Sequence, residues 1–222
     1  MGTGRTTSFL TPISDAERKR VLLGERRDDV LAAVDALVPL LPAIERAALL
    51  VEDDLCILVP DGHGDGSFLL GAGCVCAPSH WALSEKLGQP ITAIHERVPF
   101  YSAELAGRVD TFLLRLRPGQ VVGRRNWSVH ERPDLFAPIC PPLLGVPPAE
   151  QWLRSERQTL SRMDRSGAVL FSIRTDQVQL ATLPAEVRRR LAARLRGEPA
   201  ELIGYRDLTE RRHALLDWLD PP

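Results

Sequence analysis

The sequence predicts an α+β fold in which helices pack around an antiparallel sheet of five strands. Segments with helical spacing of apolar residues come first, followed by two extended segments, more helices, three extended segments and closing helices. Strands and helices do not alternate strictly, which argues against a parallel sheet, and no internal repeat is present. The chain has 222 residues, 44% hydrophobic and 26% charged, which is typical of a globular protein.

Helices are expected in the first part of the chain. Ser14 and Glu17 have the spacing of a capping box, which predicts a helix over 14–24 that ends at Gly24. Valine and leucine recur every three or four residues over 30–41, as they do on a core-facing helix. Pro42 is expected to open a third helix, so we expect a helical segment over 1–51 and a domain over 52–222 that form one structural unit.

A change of period after this helical part predicts the sheet. The runs 55–59 and 67–77 flank a glycine-rich turn, which indicates a hairpin. Three later strands are expected at 121–130, 152–162 and 168–175, with a proline-rich loop between the first two. The helices expected from residue 43 onward lie at 43–50, 79–87, 90–98, from Ser102 to Pro118, 184–196 and 209–219.

Two strands, a helical insertion and a three-stranded meander follow one another in the order typical of a PAS-type domain. In such domains a curved sheet and its helices can enclose a ligand. The predicted architecture is therefore a PAS-like five-stranded sheet with helices packed around it.

Charge and composition exclude several classes of function. The net charge of −1 gives no bulk field for nucleic acid or for an anionic membrane. No apolar run approaches the roughly 20 residues of a membrane span and the first residues have no signal-peptide pattern, so a cytoplasmic protein is expected. The four cysteines form no C-x-x-C pair, which argues against a zinc ribbon and covalent haem and predicts reduced, mostly buried thiols.

Common catalytic motifs are absent from the sequence. No G-x-G-x-x-G, P-loop or G-x-S-x-G pattern occurs, which argues against a nucleotide site and against an α/β-hydrolase. Glu52, Asp53 and Asp54 form an acidic cluster that we expect at a solvated helix end rather than around a metal.

Among the five histidines, His95 has the most informative surroundings. His63 and His213 are expected at the surface, and His80 and His130 carry no assignment. His95 lies beside an apolar stripe in its predicted helix. A neutral imidazole there could ligate iron through one nitrogen while the other nitrogen donates to a backbone carbonyl. Spacing alone favours the alternative, a hydrogen-bonded core histidine.

The predicted strand at 152–162 is unusually polar. Arg154, Glu156 and Gln158 alternate with serine, arginine and threonine, so one face of the sheet could simply be wet. The functional alternative places guanidinium groups at the mouth of a cavity, where their planar, forked donors can bind carboxylates.

Seven short motifs follow one another between residues 70 and 219. They are LGAGCVCAPSHW at 70–81, EKLG at 85–88, IH-x-x-VP at 94–99, RNWS at 125–128, ERQTL at 156–160, IRT at 173–175 and LL-x-WL at 215–219. The set resembles the haem-dependent oxidative N-demethylase alpha-subunit family, with coverage from about residue 52 to residue 219.

This resemblance implies a PAS-like fold that binds haem b and oxidises a small secondary amine such as dimethylamine to a primary amine and formaldehyde. Electrons would come from NADPH through a separate subunit that carries FMN and an iron–sulfur cluster. His95 becomes the leading iron ligand, while no catalytic residue is assigned. Haem-contacting candidates are Lys86, Arg157 and Arg174. Asn126 and Trp127 are pocket-lining candidates. The alternative for Asn126 is a turn or strand-end hydrogen bond, and the alternative for Trp127 is core packing.

One position departs from the family pattern. Asp176 follows the IRT motif where a tyrosine is typical, which affects the expected distal pocket. Two other functions stay open at this point: a haem-binding PAS-like sensor without catalysis, and a haem-free ligand-binding domain.

Overall fold

The computed structural model describes residues 4–5, 13–14, 43–62, 66–101 and 105–221. The expected helix at 30–41, the expected helix at 14–24 apart from Ser14, the turn with His63 and the start at Ser102 lie outside these residues. Within them, no helix is long and apolar enough to cross a membrane.

The main sheet confirms the predicted α+β class with five antiparallel strands. Their order across the sheet is β4–β3–β7–β6–β5, and a separate two-stranded ribbon pairs β1 with β2. The strands are β1 Gly4–Arg5, β2 Ile13–Ser14, β3 Asp54–Pro60, β4 Phe68–Cys74, β5 Val121–His130, β6 Trp152–Arg162 and β7 Val169–Gln179.

The helices differ more from the prediction than the strands do. The described helices are α1 Ala43–Ala48, α2 Leu83–Lys86, α3 Ile91–Ile94, α4 Ala106–Arg115, α5 Ala185–Gly197, α6 Ala200–Tyr205 and α7 Arg212–Leu219. The expected helices at 79–87 and 90–98 shrink to four residues each. Ser79 instead forms a bridge with Ala137, and His80 has a φ of 59°, which an α-helix does not allow. The sequence analysis missed α6.

Side chains alternate between the two faces of the sheet, and different parts of the chain cover each face. We call one face the insert face because the helices inserted between β4 and β5 cover it. There, Cys56 and Phe171 pack with residues of α2, α3 and α4. On the outer face, Val129 and Leu153 pack against α5, α6 and α7, and Leu55 packs with α1. The boundary expected after residue 51 stays a prediction.

Two buried charges hold the segment that leads from the sheet into the helical insert. Asp54 is 1% exposed and accepts hydrogen bonds from the backbone N–H groups of Cys76 (2.7 Å) and Ala77 (3.1 Å). Arg154 is fully buried and donates to the Ala77 carbonyl and, at 3.2 Å, to that of Leu135. The expectation that Asp54 lies at a solvated helix end is therefore wrong, because its carboxylate is buried and hydrogen-bonded to the backbone of Cys76 and Ala77.

We expect Arg154→Met to lower the free energy of unfolding by about 3 kcal/mol or more, because the substitution removes the donor to the Ala77 and Leu135 carbonyls and the cation paired with the Glu156 carboxylate. Urea unfolding followed by circular dichroism measures this change. Arg157→Met on the same strand is the matched control, with an expected change of about 0.5 kcal/mol or less because its side chain is exposed on the other face. Equal losses in the two variants would contradict the role given to Arg154.

Candidate functional site

The candidate site centres on His95, which immediately follows α3 where the insert packs against the sheet. Its Nδ1 lies 2.9 Å from the Ile91 carbonyl oxygen. A carbonyl oxygen can only accept, so Nδ1 carries the proton and the lone pair on Nε2 is available. Nothing in the described part of the chain hydrogen-bonds to Nε2. This is the arrangement in which a histidine binds a metal while a second contact fixes its ring.

The imidazole of His95 is held in its neutral form. Burial lowers its pKa, outweighing the hydrogen bond to Ile91, and the positive charges of Arg124 and Lys86 lower the pKa further. Metal binding requires an unprotonated nitrogen, so this environment prepares His95 as a ligand at neutral pH.

Tyr101 stacks on the imidazole. The ring centroids of Tyr101 and His95 are 4.5 Å apart and the planes are inclined by 15°. Tyr101 is 6% exposed, and its buried hydroxyl has no hydrogen-bond partner among the described residues. Burial raises the pKa of the phenol to about 12, so the hydroxyl stays protonated and can donate.

Across the insert face, polar side chains of β5 and β6 converge on the carboxylate of Glu156. Gln158 donates to it at 3.0 Å, Arg154 at 3.3 Å and Asn126 at 3.4 Å. Arg124 in turn donates through Nε to Gln158 Oε1 at 2.6 Å. The register pairs Arg124 with Gln158 and Asn126 with Glu156, which places all of these side chains on one face.

This polar group adjoins the apolar packing around His95. Val122 and Leu160 are the next insert-face positions on β5 and β6, and both pack in the cluster that contains Ile91 and Tyr101. The site is therefore apolar on the helical side and polar on the sheet side.

Of the six residues assigned from the sequence, three lie on the insert side: His95, Lys86 and Asn126. Lys86 is half-buried at the end of α2, where its charge acts on His95. Asn126 points onto the insert face and donates to Glu156.

The other three assigned residues lie on the outer face, because neighbouring residues of a strand point in opposite directions. Trp127 packs with the cluster around Leu180, and the Arg206 guanidinium lies 4.6 Å from its ring centroid. Arg157 is exposed. Arg174 pairs with Glu52 and, at 3.6 Å, with Asp176. The strand register therefore places these three side chains on the face opposite the His95 side of the sheet, and their assigned contact with a haem stays a prediction.

Asp176 occupies the outer face as well. It stands opposite Ser155 in the register of β6 and β7 and is exposed. The departure from the family pattern at this position therefore does not alter the lining of the insert face.

A concave region lies at the His130 end of β5 and encloses about 450 Å³ including its open mouth. His80 and His130 line it with ring centroids 5.4 Å apart, and His130 Nε2 lies 2.7 Å from the Ser128 hydroxyl. Burial lowers the pKa of His130 from 6.5 to about 3, with help from the charge of Arg154. The sequence analysis left both histidines unassigned.

Metal binding in the described part of the chain is limited. No group of three or more histidine, cysteine, aspartate or glutamate side chains within residues 43–62, 66–101 and 105–221 could hold a metal ion. An iron held by His95 would take its other ligands from a prosthetic group or from residues outside these ranges.

The low pKa of His130 predicts acid sensitivity. The unfolded chain binds a proton near pH 6.5 and the folded chain only near pH 3, so the free energy of unfolding falls as the pH is lowered across this interval. His130→Gln should lose less stability over the same interval, whereas His213→Gln, at an exposed position, should behave like the original protein. Thermal melts at pH 7.5, 6 and 4.5 measure this, and parallel slopes for all three proteins would contradict it.

A comparison with known families identifies one match. The family model described as haem-dependent oxidative N-demethylase, alpha subunit-like, matches residues 21–216. This match includes the whole five-stranded sheet and the histidine at its insert face.

Proposed function

The chain belongs to the haem-dependent oxidative N-demethylase, alpha subunit-like family, and on that premise we propose that it binds haem b through His95 and oxidises a small secondary amine. The observation that carries this proposal is the hydrogen bond from His95 Nδ1 to the Ile91 carbonyl, which leaves Nε2 available in a neutral, half-buried ring. The hydroxyl of Tyr101 beside it, which has no hydrogen-bond partner among the residues that the structure describes, also supports a site for a further group.

The reaction we propose converts dimethylamine into methylamine and formaldehyde. It consumes one dioxygen, two electrons and two protons and yields one water, so its atoms and electrons balance. Bound haem supplies the iron at which dioxygen is activated.

The residues of the chain bind and orient in this scheme. His95 holds the iron, and the Ile91 carbonyl fixes the plane of its ring. Lys86 and Asn126 are proposed to contact the haem and line its pocket. The Glu156 carboxylate, 15% exposed and paired with Arg154 among the polar side chains of β5 and β6, is proposed to accept a hydrogen bond from the amine.

A PAS-like architecture is part of the proposal. Counted along the chain, the strands of the main sheet stand in the order second, first, fifth, fourth, third, with a helical insertion between the second and the third. This arrangement supports the expectation that the insert face and the inserted helices enclose the ligand.

The electrons are proposed to come from a partner subunit. The family name describes an alpha subunit, which implies a partner, and the sequence has no dinucleotide-binding motif of its own. We propose that the partner carries FMN and an iron–sulfur cluster and uses NADPH. A cytoplasmic location belongs to the same proposal.

Turnover separates this proposal from the two alternatives. With amine, oxygen and a competent reductase, a demethylase forms formaldehyde in equal amount to the amine consumed. A haem-binding sensor would bind carbon monoxide reversibly and form no product, and a haem-free domain would show no Soret band after titration with haemin.

We expect His95→Gly to lose the iron–imidazole absorption spectrum, because no side chain then reaches the iron. Added imidazole should restore the spectrum by filling the space left by the side chain. Absorption spectra of the oxidised and reduced proteins, with and without carbon monoxide, measure both effects. His213→Gly is the control at an exposed histidine and should keep the original spectrum. An unchanged spectrum in His95→Gly would remove His95 as the ligand.

A further inference from the structure

The hydroxyl of Tyr101 is a buried polar group without a partner in the described part of the chain. Tyr101 is only 6% exposed. Buried hydroxyls in native proteins are almost always hydrogen-bonded, because an unmade hydrogen bond costs free energy. An exception therefore points to a partner that the described residues do not supply, and we take a bound group as the candidate.

The position of Tyr101 is set by its neighbours. Its ring lies nearly parallel to the imidazole of His95, with centroids 4.5 Å apart. The preceding residue, Phe100, has a φ of 65°, a left-handed conformation that is strained for a bulky side chain. Such a conformation persists where the surroundings hold the chain in place, and here it accompanies the packing of the Tyr101 phenol against the His95 imidazole. The hydroxyl is thus within reach of a group that His95 holds.

An exposed cation on the insert face, Arg124, lies two positions along β5 from a residue that packs in the cluster of Tyr101. Arg124 follows Val122 on the insert face, and Val122 packs in the same cluster as Tyr101. Only Nε of Arg124 is engaged, with Gln158, and no carboxylate pairs with its guanidinium among the described residues. Burial is the largest cause of the lowered pKa of His95 and of the raised pKa of Tyr101, and the positive charge of Arg124 is a smaller influence on both groups.

We propose that the Tyr101 hydroxyl and the Arg124 guanidinium together bind a carboxylate of the prosthetic group that His95 holds, namely a propionate of haem. A hydroxyl donor beside a guanidinium fork is suited to an anionic oxygen acceptor. This inference rests on the proposed haem binding and adds two residues that neither the motifs nor the family match assigns. It also gives the buried hydroxyl its missing partner.

The test compares haemin with haemin dimethyl ester, in which both propionates are esterified. Full-length apoprotein is titrated with each compound, and the Soret band reports the affinity. We expect Tyr101→Phe and Arg124→Gln each to weaken haemin binding about tenfold, the size of one charge-assisted hydrogen bond. Neither variant should change the affinity for the ester, which the original protein should bind more weakly than haemin.

Two features make the variants informative. Phenylalanine keeps the ring stacked on His95, so Tyr101→Phe removes only the hydroxyl. Arg125→Gln is the matched control, because Arg125 is the exposed next residue on the opposite face and should bind both compounds as the original protein does. Thermal melts of the apoproteins establish that all variants fold.

Equal loss for haemin and for its ester would overturn the inference, as would no loss for either. If the iron–imidazole spectrum of the original protein still depends on His95, such a result removes only the roles of Tyr101 and Arg124. If the original protein binds no haemin, haem binding itself falls and this inference falls with it.

Discussion

The placement of the site depends on two opposite buried charges that hold one dipeptide of backbone. Asp54 on β3 accepts from the N–H groups of Cys76 and Ala77, while Arg154 on β6 donates to the Ala77 carbonyl. This dipeptide is where the chain leaves the sheet for α2 and α3. Burying a carboxylate and a guanidinium is costly unless each is fully hydrogen-bonded, and here each finds backbone partners. Arg154 also donates to Glu156. One side chain therefore holds the backbone where the insert begins and orients the carboxylate on which the polar side chains of β5 and β6 converge.

The period of a β-strand decides which residues can act together. Asn126 and Trp127 adjoin in sequence, as do Glu156 and Arg157, yet each pair is divided between the two faces of the sheet. The insert face gathers Arg124, Asn126, Glu156 and Gln158 opposite a neutral imidazole and a buried phenol. The outer face uses its aromatic and charged side chains for packing and ion pairs. One face therefore carries the residues that we propose to bind a ligand, and the other carries packing and ion pairs.

The sequence predicts the long strands well, and the residues show why. At 121–130 and 152–162 the predicted bounds equal the observed ones, because extended chain is bounded there by proline and glycine. The predicted helices of the insert are too long. The spacing of Ile91, Ile94 and Val98 fits a helix, but the helix ends at Ile94, and Val98 packs in the same cluster from beyond the turn that follows. α6 has only six residues and no apolar stripe. For the site, the motifs single out His95, Arg157 and Arg174 together, but motif position carries no information about the face of the sheet on which a side chain lies. Tyr101 and Arg124 were missed because stacking and strand register appear only in three dimensions.

The central claim is that Nε2 of His95 ligates the iron of a bound haem. Resonance Raman spectroscopy of the reduced, haem-loaded protein tests it most directly, with histidine at natural abundance and then labelled with nitrogen-15. The account predicts an iron–histidine stretching band that moves to lower frequency on labelling and is absent from a protein without His95. A band that labelling leaves unmoved, or one that survives the loss of His95, would contradict it.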